Sequence, residues 1–333
     1  GLISYEDLAS YEPVWRQPVR GTYRGYEIVS MPPPSSGGIL LIQMLNMLEP
    51  YDLAAMGYGS AKAIHLMVEA ERRAYADRAE HLGDSDFYPV PVQTLMDKAY
   101  ATRRFVDFDP NKASLSQDIG AGKMPAESLE TTHASVVDAQ GNAVAYTTTL
   151  NLSYGSKIVA AGTGMLLNNE MDDFAAKANE PNFFGVIGDV ANKIEPGKRM
   201  LSSMSPTIVL KDNQPYLVTG SPGGSTITTT VLQVIVNVID HEMNLSDAVA
   251  LPRFHHQWKP TRVIFEPHAI SPDTEAVLRA MGHNELVKLP ETYQIGDANT
   301  IRLTDDGIEG MADPRNAGTA EGVPMSGSDK KSK

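Results

Sequence analysis

The run Tyr26–Ser30 reads as a strand, and from about Gly38 the chain turns into a nearly continuous apolar stretch, "GILLIQMLNML", that reads as a buried helix. Between them, "MPPPSSGG" supplies three prolines that fix φ and favour extended backbone, then serines and glycines that let the chain turn. A second helix is expected from Ser60, a good N-cap, to Gly83, a good C-cap. Its apolar positions Ile64, Met67, Val68, Tyr75 and Leu82 fall roughly on one face. Residues 105–130 are polar and rich in turn formers, and read as a surface connection. Beyond Glu130, β-branched residues alternate over 133–138 and 143–151 around the turn "AQGN", and a second hairpin is expected over 206–220. Ile227, Val231, Ile235 and Ile239 recur every four residues, so "TITTTVLQVIVNVID" is read as a buried helix despite its β-branched content. A last helix is announced by "SPDTEAVLRAMG", with Ser271 as cap, Pro272 in the first turn and Gly282 at the end. Strand pairs flanked by long helices predict a layered sheet-and-helix body of the α+β class.

Composition narrows the function classes. With 42% hydrophobic and 21% charged residues the chain has the balance of a globular protein, and 333 residues allow one large domain or two ordinary ones. The formal net charge of −13 repels phosphate, so nucleic acid and anionic membranes are poor partners. There is no cysteine, which removes disulfides, thiol nucleophiles and zinc–thiolate sites. No apolar run approaches the roughly 20 residues needed to span a bilayer. The chain opens on Gly1 rather than methionine, which is read as a cleavage or truncation point with any targeting segment upstream. The tail "MSGSDKKSK" reads as disordered or as a cloning scar.

Candidate chemistry begins at "LETTHASVVD", residues 129–138, where a polar loop passes into a strand through two threonines. A threonine hydroxyl is a weak nucleophile unless the same residue carries a free α-amino group to act as general base. That amine titrates near pH 8, so it is poised for proton transfer once the bond between Glu130 and Thr131 is cut. Threonine pairs are common in strands, and on the dipeptide alone the plain strand entry is the favoured reading. "TGSPGGS", residues 219–225, lies between a strand and a helix, where consecutive amides can converge on an oxyanion; a plain tight turn is the other reading. A phosphate loop is disfavoured because its lysine is missing. Ser202 and Ser203 offer adjacent hydroxyls to a carboxylate, and Glu170 with Asp173 offer acids to an ammonium; as isolated pieces both are surface polar clusters more often than sites. His255 and His256 invite a metal, but neighbours on a strand point oppositely and no third ligand is evident. No cofactor or metal is expected.

Taken together and in order, these segments resemble the γ-glutamyltranspeptidase family. "SMPPPSSGG" at 30–38, "AYADR" at 74–78, "TTHASVVD" at 131–138, "LLNNEMDDF" at 166–174, "LSSMSPTIV" at 201–209, "TGSPGGS" at 219–225, "PRFHHQW" at 252–258 and "DPR" at 313–315 all look like family blocks. The resemblance implies an N-terminal nucleophile hydrolase, an αββα sandwich whose precursor cuts itself into two subunits. Residues 1–130 would be the C-terminal part of the large subunit, 131–320 the small catalytic subunit and 321–333 a disordered tail. Carried over residue by residue, Thr131 is similar to the nucleophile and Thr149 to the threonine that bonds its amine or hydroxyl. Asn151, Glu170 and Asp173 match groups that hold the amino-acid end of the γ-glutamyl moiety. Ser202 and Ser203 match binders of its α-carboxylate, and Gly223 and Gly224 match the oxyanion-hole amides.

The implied reaction is γ-glutamyl transfer or hydrolysis on glutathione and related compounds, with an amino acid, a peptide or water as acceptor. An exported protein, periplasmic or secreted, is implied by the family alone. The same scaffold carries cephalosporin acylases and poly-γ-glutamate processing enzymes, and a catalytically silent homologue is a third possibility. Two departures are visible. The large subunit's N-terminal region, with an arginine that pairs with the α-carboxylate, is expected to be missing here, so slow maturation, weak glutamate binding and apolar exposure on a helical face are expected. Within "NEPNFFGVIGD", which resembles an active-site lid, Phe184 stands where several relatives have tyrosine, at the loss of one hydrogen bond.

Overall fold

The computed structural model describes residues 3–120, 131–175, 177, 180, 182–183 and 185–323. Glu130, Phe184 and most of the expected tail therefore lie outside the described residues. The first part carries α1 (Tyr5–Ser10), β1 (Val19–Tyr23), β2 (Tyr26–Ser30), α2 (Gly37–Leu48), α3 (Leu53–Met56), α4 (Ala61–His81), α5 (Val92–Met96) and α6 (Lys98–Arg104). Next come the hairpins β3 (Thr132–Val137) with β4 (Ala143–Thr148) and β5 (Thr207–Lys211) with β6 (Gln214–Thr219), then α7 (Thr226–Ile239) and α8 (Leu245–Ala250). Strands β7 (Phe254–His255), β8 (Val263–Phe265) and β9 (Leu286–Lys288) make a small sheet, with α9 (Pro272–Ala280) joining the last two. Strands β10 (Thr300–Thr304) and β11 (Gly307–Met311) follow.

The principal sheet runs β1-β2-β5-β6-β10-β11, antiparallel throughout. Its register couples distant parts of the chain: Ser30 on β2 stands opposite Thr207 on β5. Residues before and after position 130 thus share one sheet and one core. On one face, Ile28, Val209 and Leu217 join a core with the buried side chains of α2, α4 and α7. On the other lies the β3–β4 hairpin, which contacts β5, β6 and β10. Strand alternation turns His133 and Ser135 inward, and the Ser135 hydroxyl donates to the Asn299 carbonyl at 2.8 Å. Helices, sheet and hairpin give three layers of the αββα sandwich.

Apolar surface was expected to lie exposed on a helical face. The helix layer is closed, because α2 is buried along its whole length between the sheet and α4. Exposed apolar side chains lie on the outer face of the hairpin, at Val136, Val144 and Tyr146, and also on and after α1, at Tyr5, Leu8, Val14 and Trp15. Helix α4 is capped by Ser60, whose hydroxyl accepts from the Ala63 amide at 3.1 Å, as expected. It ends at His81 with an extended Leu82 as its cap, not at Gly83. Glycine is needed at 83 for close approach, since a Cβ there would lie 2.0 Å from the Ala191 carbonyl oxygen. The sequence reading also passed over α6, although Asp97 caps it by accepting from the Tyr100 amide at 2.9 Å.

Candidate active site

Four chain segments that are far apart in sequence meet at one end of the hairpin. They line a partly open pocket whose walls include Thr131, Thr149, Asn151, Asp173, Ser202, Ser203 and Gly224. Thr131 stands just before β3 and Thr149 just after β4, so the hairpin register brings them together; Thr132 pairs with Thr148. Thr131 Oγ1 points at Thr149 Oγ1 at 3.4 Å, long for a hydrogen bond between hydroxyls. Thr149 Oγ1 in turn accepts from the Asn151 amide at 2.8 Å. That bond bends the chain sharply, and Asn151 takes a φ of 72°, a left-handed conformation that asparagine tolerates better than most residues.

The acidic wall is a short 3₁₀ turn, Glu170–Asp173. Burial pushes the Glu170 carboxyl up to about 7, opposed by a hydrogen bond from the Asn151 backbone. Burial also raises Asp173 to about 7, with the Glu170 charge adding to the rise and Arg78 opposing it. Two carboxyls held away from water at this spacing gain most from an added cation. Glu170 Oε1 and Asn151 Oδ1 are buried without a hydrogen-bond partner among the described residues. An ammonium group, with three N–H donors, matches that set.

The opposite wall is the segment 201–205, stitched to the start of α2. Ser36 donates its amide and its hydroxyl to the Ser202 carbonyl, each at 2.8 Å, and the Ser202 amide donates to the Pro34 carbonyl at 2.8 Å. The prolines and serines of "PPPSSGG" therefore serve as the socket for "LSSMS". Ser202 Oγ accepts from the Met204 amide at 3.0 Å, which leaves its own hydrogen to donate elsewhere. The roof is the turn from β6 into α7, where Gly223 and Gly224 adopt φ of 135° and 53°, values open to glycine. Gly224 lines the pocket, whereas Gly223 and Glu170 are neighbours of lining residues and do not line it themselves.

Sequence reasoning missed Arg78, Asn182, Val186, Met204 and Ile227, which also line the pocket. Asn182 and Val186 flank position 184 in the lid-like stretch, so their place was signalled by that resemblance. Arg78 closes the block "AYADR", but no role was given to it, because it sits within a helix pattern. The histidines 255 and 256 do diverge as expected: His255 meets Thr229 and Gln257, while His256 Nδ1 meets the Arg262 carbonyl. A buried His65–Glu69–His283 cluster has ligand-like spacing. Its donors are already engaged: the two rings bond each other at 2.8 Å, and Glu69 is held by Arg72 and Arg73.

Comparison with known proteins agrees with this architecture. The family model described as gamma-glutamyltranspeptidase matches residues 1–323. The glutathione hydrolase proenzyme of Escherichia coli (strain K12) is 54% identical over 317 residues, which is 95% of this chain and 54% of the relative. A mutant γ-glutamyltranspeptidase of Helicobacter pylori superposes at a TM-score of 0.53 with 52% identity; the match covers 56% of this chain and all of that one. A cephalosporin acylase from Bacillus halodurans superposes at 0.81 with 25% identity, over 97% of this chain and 56% of that one. The chain spans about half the length of the curated relatives it matches. With a family model covering almost its whole length and a relative at 54% identity, this chain belongs to the gamma-glutamyltranspeptidase family.

Proposed function

We propose that this chain is the catalytic portion of a γ-glutamyltransferase and glutathione hydrolase that works through Thr131. The chain is cut between Glu130 and Thr131, dividing residues 1–130 of the large subunit from the small subunit 131–320. The freed α-amine of Thr131 takes the proton from its own hydroxyl, and Oγ1 attacks the γ-carbonyl of glutathione or a related compound. A γ-glutamyl ester forms and the amine leaves with a proton; water, an amino acid or a peptide then accepts the acyl group. Thr149 steadies the Thr131 hydroxyl, and the amides of Gly223 and Gly224 receive the oxyanion. The observation that carries this reading is the polarity of the pocket. Thr131 stands between an acidic wall suited to an ammonium and a hydroxyl-rich wall suited to a carboxylate. The two-subunit division is supported by the match of a complete solved chain to just 56% of this one.

An acylase that recognises only an apolar side chain has no use for both walls, so the amino-acid head group is favoured. Replacing Ser202 and Ser203 together with alanine tests this. Each lost hydrogen bond to a charged group is worth about 1.5–3 kcal/mol, so losing both is expected to raise KM for γ-glutamyl-p-nitroanilide on the order of 100-fold or more. The analogue without the α-carboxylate, 4-aminobutyryl-p-nitroanilide, is expected to lose far less. Equal losses on both substrates contradict carboxylate binding and assign the serines to the fold.

A further inference from the structure

Helix α4 buries every residue from Ala63 to Ala79, including several charges. Several of those charges are matched: Arg72 and Arg73 pair with Glu69, Asp77 pairs with Arg104, and Glu71 accepts from the His256 amide at 2.9 Å. Arg78 differs from the other two arginines of the helix. It is 4% exposed, lines the pocket and makes no ion pair among the described residues. Its guanidinium donates from Nε to Ser36 Oγ at 3.1 Å and from a terminal nitrogen to Ser203 Oγ at 3.3 Å. Asp173 faces it across the pocket without an ion pair, and a buried cation with no anion in direct contact is costly and favours a ligand that supplies one. Among the pocket-lining residues Arg78 is the cation and Asp173 the anion, the complement of a zwitterionic amino-acid head group.

Resting on the reading above, we propose that Arg78 is a positioning residue that selects substrates bearing an α-carboxylate, acting through Ser203. Arginine can only donate, so Ser203 Oγ accepts from it and the single hydroxyl hydrogen of Ser203 is directed into the pocket. The positive charge behind that hydroxyl strengthens its bond to a carboxylate, as charge-assisted networks do. The Ser36 bond fixes the guanidinium plane and ties it to the Ser202 carbonyl through the same hydroxyl.

The test titrates the chain with L-glutamate and with 4-aminobutyrate, which keeps the ammonium but lacks the α-carboxylate. Arg78→Lys is expected to weaken glutamate binding about 10-fold or more, the loss of one charge-assisted contact, and to leave 4-aminobutyrate within about 2-fold. In a Ser203→Ala background the same substitution is expected to add little, since the pathway through Ser203 is already broken. Melting temperatures identify any variant that fails to fold; Ser36→Ala then serves instead, with a smaller loss confined to glutamate. Arg78 variants that still prefer glutamate as strongly as wild type overturn the inference alone. A wild-type chain that does not prefer glutamate over 4-aminobutyrate overturns the pocket reading and the inference with it.

Discussion

Thr131→Ala is expected to stop both cleavage at Glu130–Thr131 and γ-glutamyl transfer, lowering turnover by about 10⁴-fold or more, as loss of a covalent nucleophile does elsewhere. Alanine keeps a potential α-amine but offers no oxygen to attack either the preceding carbonyl or the substrate. The hairpin itself is expected to survive, because Thr131 precedes β3 and its side chain faces the pocket rather than the core. Thr131→Ser retains the oxygen and loses only the methyl group that restricts χ1, so it is expected to retain part of both activities. Intact-mass measurement follows the cut, and release of p-nitroaniline from γ-glutamyl-p-nitroanilide follows turnover. Normal processing of the alanine variant contradicts the assignment.

Asp173→Asn is expected to pull binding and stability in opposite directions. The substitution removes the negative charge facing the substrate ammonium, and KM for γ-glutamyl donors is expected to rise about 10- to 100-fold. Stability follows from linkage. The Asp173 carboxyl is pushed from its ordinary 3.8 up to about 7 in the folded chain. Across that window the folded state binds more protons than the unfolded state, so stability is full below pH 4, falls as pH rises toward 7 and stays reduced above it. Asparagine is neutral at every pH. Without ligand, the variant is therefore expected to melt higher than wild type at pH 8, with the gap shrinking as the pH is lowered toward 4. A variant less stable than wild type at pH 8 shows that the carboxylate is held by partners in the protein and is not waiting for a ligand cation.

Much of the fold was legible where the pattern is local. The strand Tyr26–Ser30, the two hairpins and the caps Ser60 and Ser271 follow from periodicity and from side chains that bond within one turn. Helix α4 shows why the rest was not. Its apolar positions predict one buried face, yet it is buried all round, because neighbouring segments supply partners for its charges. Arg73 finds Asp107 at 2.8 Å, and Asp77 meets Gln43 and Tyr100. Such pairing is invisible to hydrophobicity and depends on tertiary neighbours, which is also why Arg78 went unread. The site was legible as residue types but not as a place. Thr131, Glu170 with Asp173, Ser202 with Ser203, and the glycines each suggested a role by charge or donor chemistry. Only the family resemblance joined them, and only the fold shows them sharing a pocket. Similarly, the three unclothed apolar residues of the hairpin could not be told from core strand residues until the layer order was known.

The claim on which everything else depends is that Thr131 carries the acyl group. The protein is incubated briefly with a γ-glutamyl donor, quenched in acid, digested and sequenced by tandem mass spectrometry. The account predicts a peptide that begins at Thr131 and bears the mass of one γ-glutamyl residue on that first side chain, lost on longer incubation with an amino-acid acceptor. A γ-glutamyl group on any other residue, or turnover by protein in which the Glu130–Thr131 bond is still intact, contradicts it.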